Sequence, residues 1–225
     1  KKYICPMNIA SYIDHTILKP TTLVSDIEQL CTEATLYNFA AVCVPPPFTK
    51  FAKGLLGGTS VKTATVIGFP FGYSAIEAKV TETLLSIVDG VDEIDMVANI
   101  SAIKNGDWNF IKHEAEVLIP MAHKKEKQIK VIIESGVLSD EEIIRCCEIY
   151  AELGADFVKT STGYAEKGAT LEAVQLMRKH LPSNIKIKAS GGIRNYAFAK
   201  QLIDAGADRL GCSASVAIVK ESLNQ

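Results

Sequence analysis

Cysteine pairs at metal-binding spacing are missing from this chain. Its six cysteines are Cys5, Cys31, Cys43, Cys146, Cys147 and Cys212, and none forms a C-x-x-C pair. Cys146 and Cys147 fall inside a helical pattern. Together these features argue against a zinc site or a disulfide framework and for a reducing compartment. The four histidines show no metal spacing either. No apolar run reaches the ~18 residues of a membrane span, and no signal-peptide core opens the chain. Excess charge is also absent: the net charge is −2, so no global field draws nucleic acid or an anionic membrane. The densest basic run, His123-Lys124-Lys125-Glu126-Lys127, is short and interrupted, and reads as the C-terminal end of a helix. These absences leave a soluble, cytoplasmic protein with neither a membrane nor a nucleic-acid partner. The chain starts at Lys1 rather than Met, so a few leading residues are expected to precede it.

What is present is alternation. Short apolar, β-branched runs at 12–16, 40–44, 61–67, 93–97, 130–134, 156–159, 185–189 and 208–211 read as strands, and longer amphipathic stretches separate them. A helix is expected over 74–88. A second opens on the capping box Ser139-Asp140-Glu141-Glu142 and runs to Gly154. A third spans about 170–180, before Pro182, and a fourth runs from about Asn195 to Gly206. The tripeptides Gly90-Val91-Asp92, Gly154-Ala155-Asp156 and Gly206-Ala207-Asp208 each separate a helix from a strand, with glycine as the left-handed residue that ends the helix. There is no linker composition. Eight αβ units in 225 residues predict an α/β fold, one (β/α)8 barrel domain over 1–225. A doubly wound open sheet is the runner-up, weakened by the missing dinucleotide fingerprint.

Two lysines stand where apolar strands run into glycine turns: Lys159 in Phe157-Val158-Lys159-Thr160-Ser161-Thr162-Gly163, and Lys188 in Ile187-Lys188-Ala189-Ser190-Gly191-Gly192. Spacing alone allows two readings: solvated strand ends, or an amine nucleophile with a cationic neighbour. If both face the lumen from adjacent strands, like charge and desolvation lower one pKa and free an amine to attack a carbonyl. Bringing a lysine from ~10.4 to near 7 takes about 4–5 kcal/mol. Asp95 sits at the same depth, as a proton relay or as a structural partner for a lysine. Asp14 either hydrogen-bonds substrate hydroxyls or ties down the N-terminal segment. Cys43 reads as a small core residue rather than a nucleophile. The glycine turns at 160–163, 190–192 and 211–213 suit a phosphate held by backbone amides, with a helix start near Asn195 adding its dipole.

Ile13-Asp14-His15-Thr16-Ile17-Leu18-Lys19-Pro20, Ala41-Val42-Cys43-Val44-Pro45, Val158–Gly163 and Lys188–Arg194, with the stretches 62–70, 92–97 and 209–213, carry a resemblance over nearly the whole chain. The sequence resembles the deoxyribose-phosphate aldolase family. The resemblance implies a (β/α)8 class I aldolase with no metal and no cofactor. It would join acetaldehyde to glyceraldehyde 3-phosphate reversibly, so its partners would be a small phosphosugar and an aldehyde, and a homodimer is allowed for. Lys159 would form the Schiff base, Lys188 would tune it and Asp95 would relay protons. Asp14 and Cys43 would line the substrate pocket, and Gly163, Gly191, Gly192, Gly211 and Ser213 would seat the phosphate. The chain departs from the family at Pro45, at Cys212-Ser213-Ala214-Ser215 and in its tail, Glu221 to Gln225, which lacks a tyrosine. A transaldolase-like enzyme and a silent phosphosugar-binding protein are the rival readings.

Overall fold

The computed structural model describes residues 8–224. Lys1, Cys5 and Gln225 lie outside the described residues. Strands β1 (Ile13–Thr16), β2 (Ala41–Val44), β3 (Lys62–Ile67), β4 (Glu93–Val97), β5 (Gln128–Ile132), β6 (Phe157–Lys159), β7 (Lys186–Ser190) and β8 (Arg209–Cys212) close into one parallel barrel in sequence order. The closure is the β1–β8 seam, with Ile13 opposite Leu210 and Asp14 opposite Gly211. Around it run α1 (Val24–Tyr37), α2 (Thr49–Leu55), α3 (Ile76–Val88), α4 (Ile100–Lys104), α5 (Trp108–His123), α6 (Asp140–Glu152), α7 (Leu171–His180), α8 (Tyr196–Asp204) and α9 (Ser215–Ser222). No helix among the described residues is long and apolar enough to cross a membrane.

Strand alternation divides the interior in two. Outward residues such as Val42, Ile94, Met96, Ile129, Val131, Val158, Ile187 and Leu210 join the large apolar core between sheet and helices. The lumen holds the other parity. On the β2–β3 side it is apolar, with Cys43, Ala64 and Val66 packed together. On the remaining side it carries charge, and Phe157 forms an aromatic base under Lys130, Lys186 and Arg209, each within 5.4–5.8 Å of its ring centre.

The eight strand positions match the sequence pattern to within two residues. The largest difference is β5, which starts at Gln128 and stops at Ile132 rather than covering 130–134. Its end is set by Glu134, which turns left-handed (φ 55°) and starts a short 3-10 turn, Ser135–Val137. The capping box is formed: Ser139 Oγ accepts from the Glu142 N–H, and the Ser139 N–H donates to Glu142 Oε2 at 2.7 Å. The basic run at 123–127 does end a helix, α5.

The three Gly-x-Asp turns share one build. Gly90, Gly154 and Gly206 have φ of 89°, 75° and 113°, and the amide after each reaches back into the helix, to Ser86, Tyr150 and Leu202. Each aspartate then clamps the preceding strand. Asp92 Oδ2 accepts from the Thr63 N–H at 2.9 Å, Asp156 Oδ2 from Ile129 at 2.8 Å and Asp208 Oδ2 from Ile187 at 2.9 Å.

The turns differ in how much room they leave. A Cβ on Gly154 meets nothing within 4 Å, whereas one on Gly206 falls 2.7 Å from Arg178 Cγ. Arg178 cannot withdraw easily, because its guanidinium is tied to the carbonyls of Leu181, Pro182 and Ile185. Gly154→Ala should therefore cost about 1 kcal/mol, the left-handed penalty alone. Gly206→Ala should cost at least twice as much by urea unfolding. Equal losses would show that the contact with Arg178 carries no energy.

Candidate active site

The two strand-end lysines meet. Lys159 and Lys188 are register partners on β6 and β7, and both point into the lumen. Asp95, on β4, lies between them: its Oδ2 accepts from Lys159 Nζ and from Lys188 Nζ, each at 2.7 Å. Its Oδ1 accepts from Lys130 Nζ at 2.8 Å. Lys130 also pairs with Glu93 at 2.6 Å. Lys188 also pairs with Asp14, whose second oxygen takes Arg209 at 2.6 Å; Arg209 in turn reaches Glu93 at 3.4 Å. Asp95, Lys188, Asp14, Arg209, Glu93 and Lys130 thus form a closed ring of alternating charge, three cations with three carboxylates. Lys159 hangs from Asp95 as the surplus cation.

That placement splits the two lysines. Burial lowers the pKa of Lys159, and the Lys188 charge lowers it further against the pull of Asp95. Burial also acts on Lys188, but Asp14 and Asp95 outweigh it and its pKa rises. Burial would raise Asp95, yet Lys130, Lys159 and Lys188 hold its carboxyl well below the usual range. Burying an unpaired charge costs several kcal/mol, so each ring member depends on its two partners. Lys159 is the group that can give up its proton and leave the ring balanced.

Above the ring, at the C-terminal end of the barrel, lies a cavity of about 510 Å³. Its wall includes Lys159, Gly163, Gly191, Gly192, Gly211 and Ser213, all six expected there, with Thr162, Tyr164 and Arg194 beside them. Gly191 and Gly192 have φ of 87° and 79°, which an L-residue resists. A Cβ on Gly211 would lie 3.1 Å from Lys188 Cε, so this glycine also makes room for the lysine.

Two expected wall residues are not in the cavity. Asp14 is fully buried beneath it, with its carboxylate committed to Lys188 and Arg209. Among the described residues its carboxylate serves the ion network rather than the cavity wall. Cys43 packs with Ala64 and Val66, and burial pushes its thiol up to about 11, as suits a small core residue. The helix start near Asn195 is also already occupied. Asn195 Oδ1 accepts from the Phe198 N–H at 2.9 Å, and Glu221 Oε2 accepts from the Tyr196 N–H at 2.7 Å. Two helices begin beside the cavity: α8, two residues beyond Arg194, and α9, two residues beyond Ser213.

Sequence reasoning passed over Lys130, Glu93 and Arg209. Lys130 sits mid-strand and Glu93 and Arg209 open their strands, all three on the lumen parity of an apolar run, the signal that marks Asp95 and Lys188. Their partners lie on other strands, which no single segment of sequence displays. Arg194 was also passed over; it has no ion-pair partner among the described residues.

A parallel barrel that buries a lowered-pKa lysine below an open C-terminal cavity is the build of a lysine-dependent barrel lyase. The model for the DeoC/LacD family aldolases matches residues 8–218. The chain is 50% identical over 222 residues to the deoxyribose-phosphate aldolase of Caldanaerobacter subterraneus subsp. tengcongensis, covering 98% of this chain and 96% of that one. It is 50% identical over 220 residues to that of Thermococcus gammatolerans, with 97% and 98% covered. The tetrameric deoxyribose phosphate aldolase of Aeropyrum pernix superposes with a TM-score of 0.88 at 32% identity, with 94% and 89% covered. The chain belongs to the DeoC/LacD aldolase family.

The ring sets an acid limit on stability. Asp14 and Asp95 have folded-state pKa values below their unfolded values. Their contribution is therefore complete above about pH 4 and is lost as pH falls below that. Asp14→Asn leaves Lys188 and Arg209 short of a counter-charge. It should cost about 3–5 kcal/mol at pH 7 and flatten the decline toward pH 3. Urea unfolding across that range is the measurement; an unchanged acid decline would remove Asp14 from the linkage.

Proposed function

We propose that the chain reversibly cleaves 2-deoxyribose 5-phosphate to glyceraldehyde 3-phosphate and acetaldehyde through a Schiff base on Lys159. The observation that carries this reading is the position of Lys159: it is the one cation surplus to a balanced ring, and it faces the cavity. The same reaction is named for the relatives that share half of its residues.

On this reading the residues take distinct roles. The free amine of Lys159 attacks the open-chain aldehyde carbon, and loss of water gives an iminium. The iminium draws electrons from the C2–C3 bond as it breaks, while the C3 hydroxyl proton departs. The resulting enamine takes a proton at C2, and hydrolysis releases acetaldehyde. Lys188, held protonated, and Asp95 handle these protons through a water. Asp95 has too little proton affinity to hold one at rest, so it serves as the link that keeps Lys188 charged and Lys159 aimed. The phosphate sits against the main chain of Gly163, Gly191, Gly192 and Gly211 and beside Ser213, with Arg194 supplying a cation at the rim. The reading asks for no cofactor. It treats 1–225 as one domain and allows a homodimer. The five described cysteines, all free and buried, fit a reducing cytoplasm.

Borohydride with acetaldehyde should fix one two-carbon unit on Lys159, identified by peptide mapping. Label on Lys188 would reverse the two roles, and no label would end the mechanism. Lys188→Leu removes the neighbouring charge and frees Asp95 to pair with Lys159. Both changes raise the Lys159 pKa, so the pH midpoint of trapping should move upward and turnover near pH 7 should fall. A midpoint that stays put would show the amines to be uncoupled.

At the phosphate end, Ser213→Ala should cost about 1 kcal/mol, one neutral hydrogen bond. Gly192→Val, at a left-handed position, should raise KM for deoxyribose 5-phosphate far more than for unphosphorylated deoxyribose. Equal damage to both substrates would place the phosphate elsewhere.

A further inference from the structure

Lys159 leads into a loop, 160–170, that is fastened on both flanks. Toward β7, Thr160 Oγ1 accepts from the Ser190 N–H at 3.0 Å, and Ser190 Oγ donates to the Ser161 carbonyl at 2.6 Å. Toward β5, the fastening is Glu134. Its carboxylate accepts from the Thr162 N–H, at 3.2 and 3.3 Å to the two oxygens, and from the Thr162 hydroxyl. Thr162 Oγ1 then accepts from the Tyr164 N–H at 3.0 Å. The main chain on either side of Glu134 is also bound: the Ile133 N–H donates to the Lys159 carbonyl at 3.0 Å, and the Ser135 N–H to the Thr160 carbonyl at 2.7 Å.

Two features of Glu134 exceed what a loop staple needs. Its backbone is left-handed, with φ and ψ both 55°, a region where a residue with a long side chain stays only if its surroundings over-determine it. Its carboxylate is buried and has no ion-pair partner among the described residues. Burial pushes its pKa up, and the one charge acting against that rise is Lys159. Burying a carboxylate is costly, and a neutral side chain could hold a loop more cheaply. The carboxylate meets Thr162 with acceptors only: Oε1 and Oε2 share its N–H, and Oε2 also takes its hydroxyl. That leaves the threonine oxygen free to take the Tyr164 amide. Glutamine would turn an N–H2 toward one of those donors.

We propose that Glu134 is a positioning residue for the imine-forming lysine: acting through Thr162, it fixes the chain that leaves β6 and so aims the Lys159 amine into the cavity. The proposal rests on the reading of Lys159 as the residue that forms the imine. A small displacement of an attacking group costs up to about a hundredfold in rate.

The test is the rate of borohydride-trapped imine formation with acetaldehyde, a probe that lacks the phosphate, alongside steady-state kinetics with deoxyribose 5-phosphate. Glu134→Gln should slow trapping and kcat together, by about ten- to a hundredfold, with KM within about threefold. Thr162→Val should lose as much, Thr162→Ser should retain near wild-type trapping, and the Glu134→Gln/Thr162→Val pair should be no slower than either alone. Wild-type trapping in folded Glu134→Gln, an effect on KM alone, or additive losses in the pair would overturn the proposal. If Glu134→Gln does not fold, the threonine variants decide, and equal rates for valine and serine overturn it. Wild-type label on another residue would instead end the reading of Lys159, a separate outcome.

Discussion

Charge cannot be buried singly, and the inside of this barrel is arranged around that constraint. Asp14, Glu93, Asp95, Lys130, Lys188 and Arg209 neutralise one another in a closed circuit, each with two opposite neighbours. A seventh group, Lys159, attaches to a carboxylate already shared by two other amines. The circuit is satisfied without its charge. Two lysines side by side on neighbouring strands therefore behave oppositely: one is locked as a cation and the other is free to be an amine. Proximity of like charges contributes, but burial and surplus charge come first.

The fold makes this arrangement available by alternation alone. In a parallel barrel every second residue enters the lumen, and register fixes which of them meet. The apolar work of stabilising the domain is done on the other face of the strands, between sheet and helices. That leaves the lumen able to carry ions on one side, while Cys43, Ala64 and Val66 fill the other. Phe157 packs beneath the charged side, against Lys130 and Arg209.

Much of this could be read from residue order. Apolar runs at regular spacing gave eight strands, and lysines against glycine turns gave the reacting end. What escaped depended on contacts across the barrel. Asp14 shows nothing in its own segment of its bond to Arg209, 195 positions away. Lys130 looked like the first residue of a strand because β5 ends early, and that early end is set by Glu134, whose left-handed turn has no glycine to announce it. The rim of the cavity was marked by its glycines, yet the first amide of the helix start near Asn195 is taken by Glu221, again through a contact distant in sequence.

The aspartate clamps described for the Gly-x-Asp turns join β4 to β3, β6 to β5 and β8 to β7, so the barrel is built from two-strand modules with self-contained joints. The ion circuit is laid out differently. It links β5, β6, β7 and β8 to β4, and β7 and β8 to β1, crossing the β4–β5 and β8–β1 borders that the clamps leave open. Hydrogen bonds to the main chain join strands in pairs, and buried ion pairs lace the pairs to each other. The lowered pKa of Lys159 thus depends on groups from several of these strand pairs at once, and no single pair supplies it.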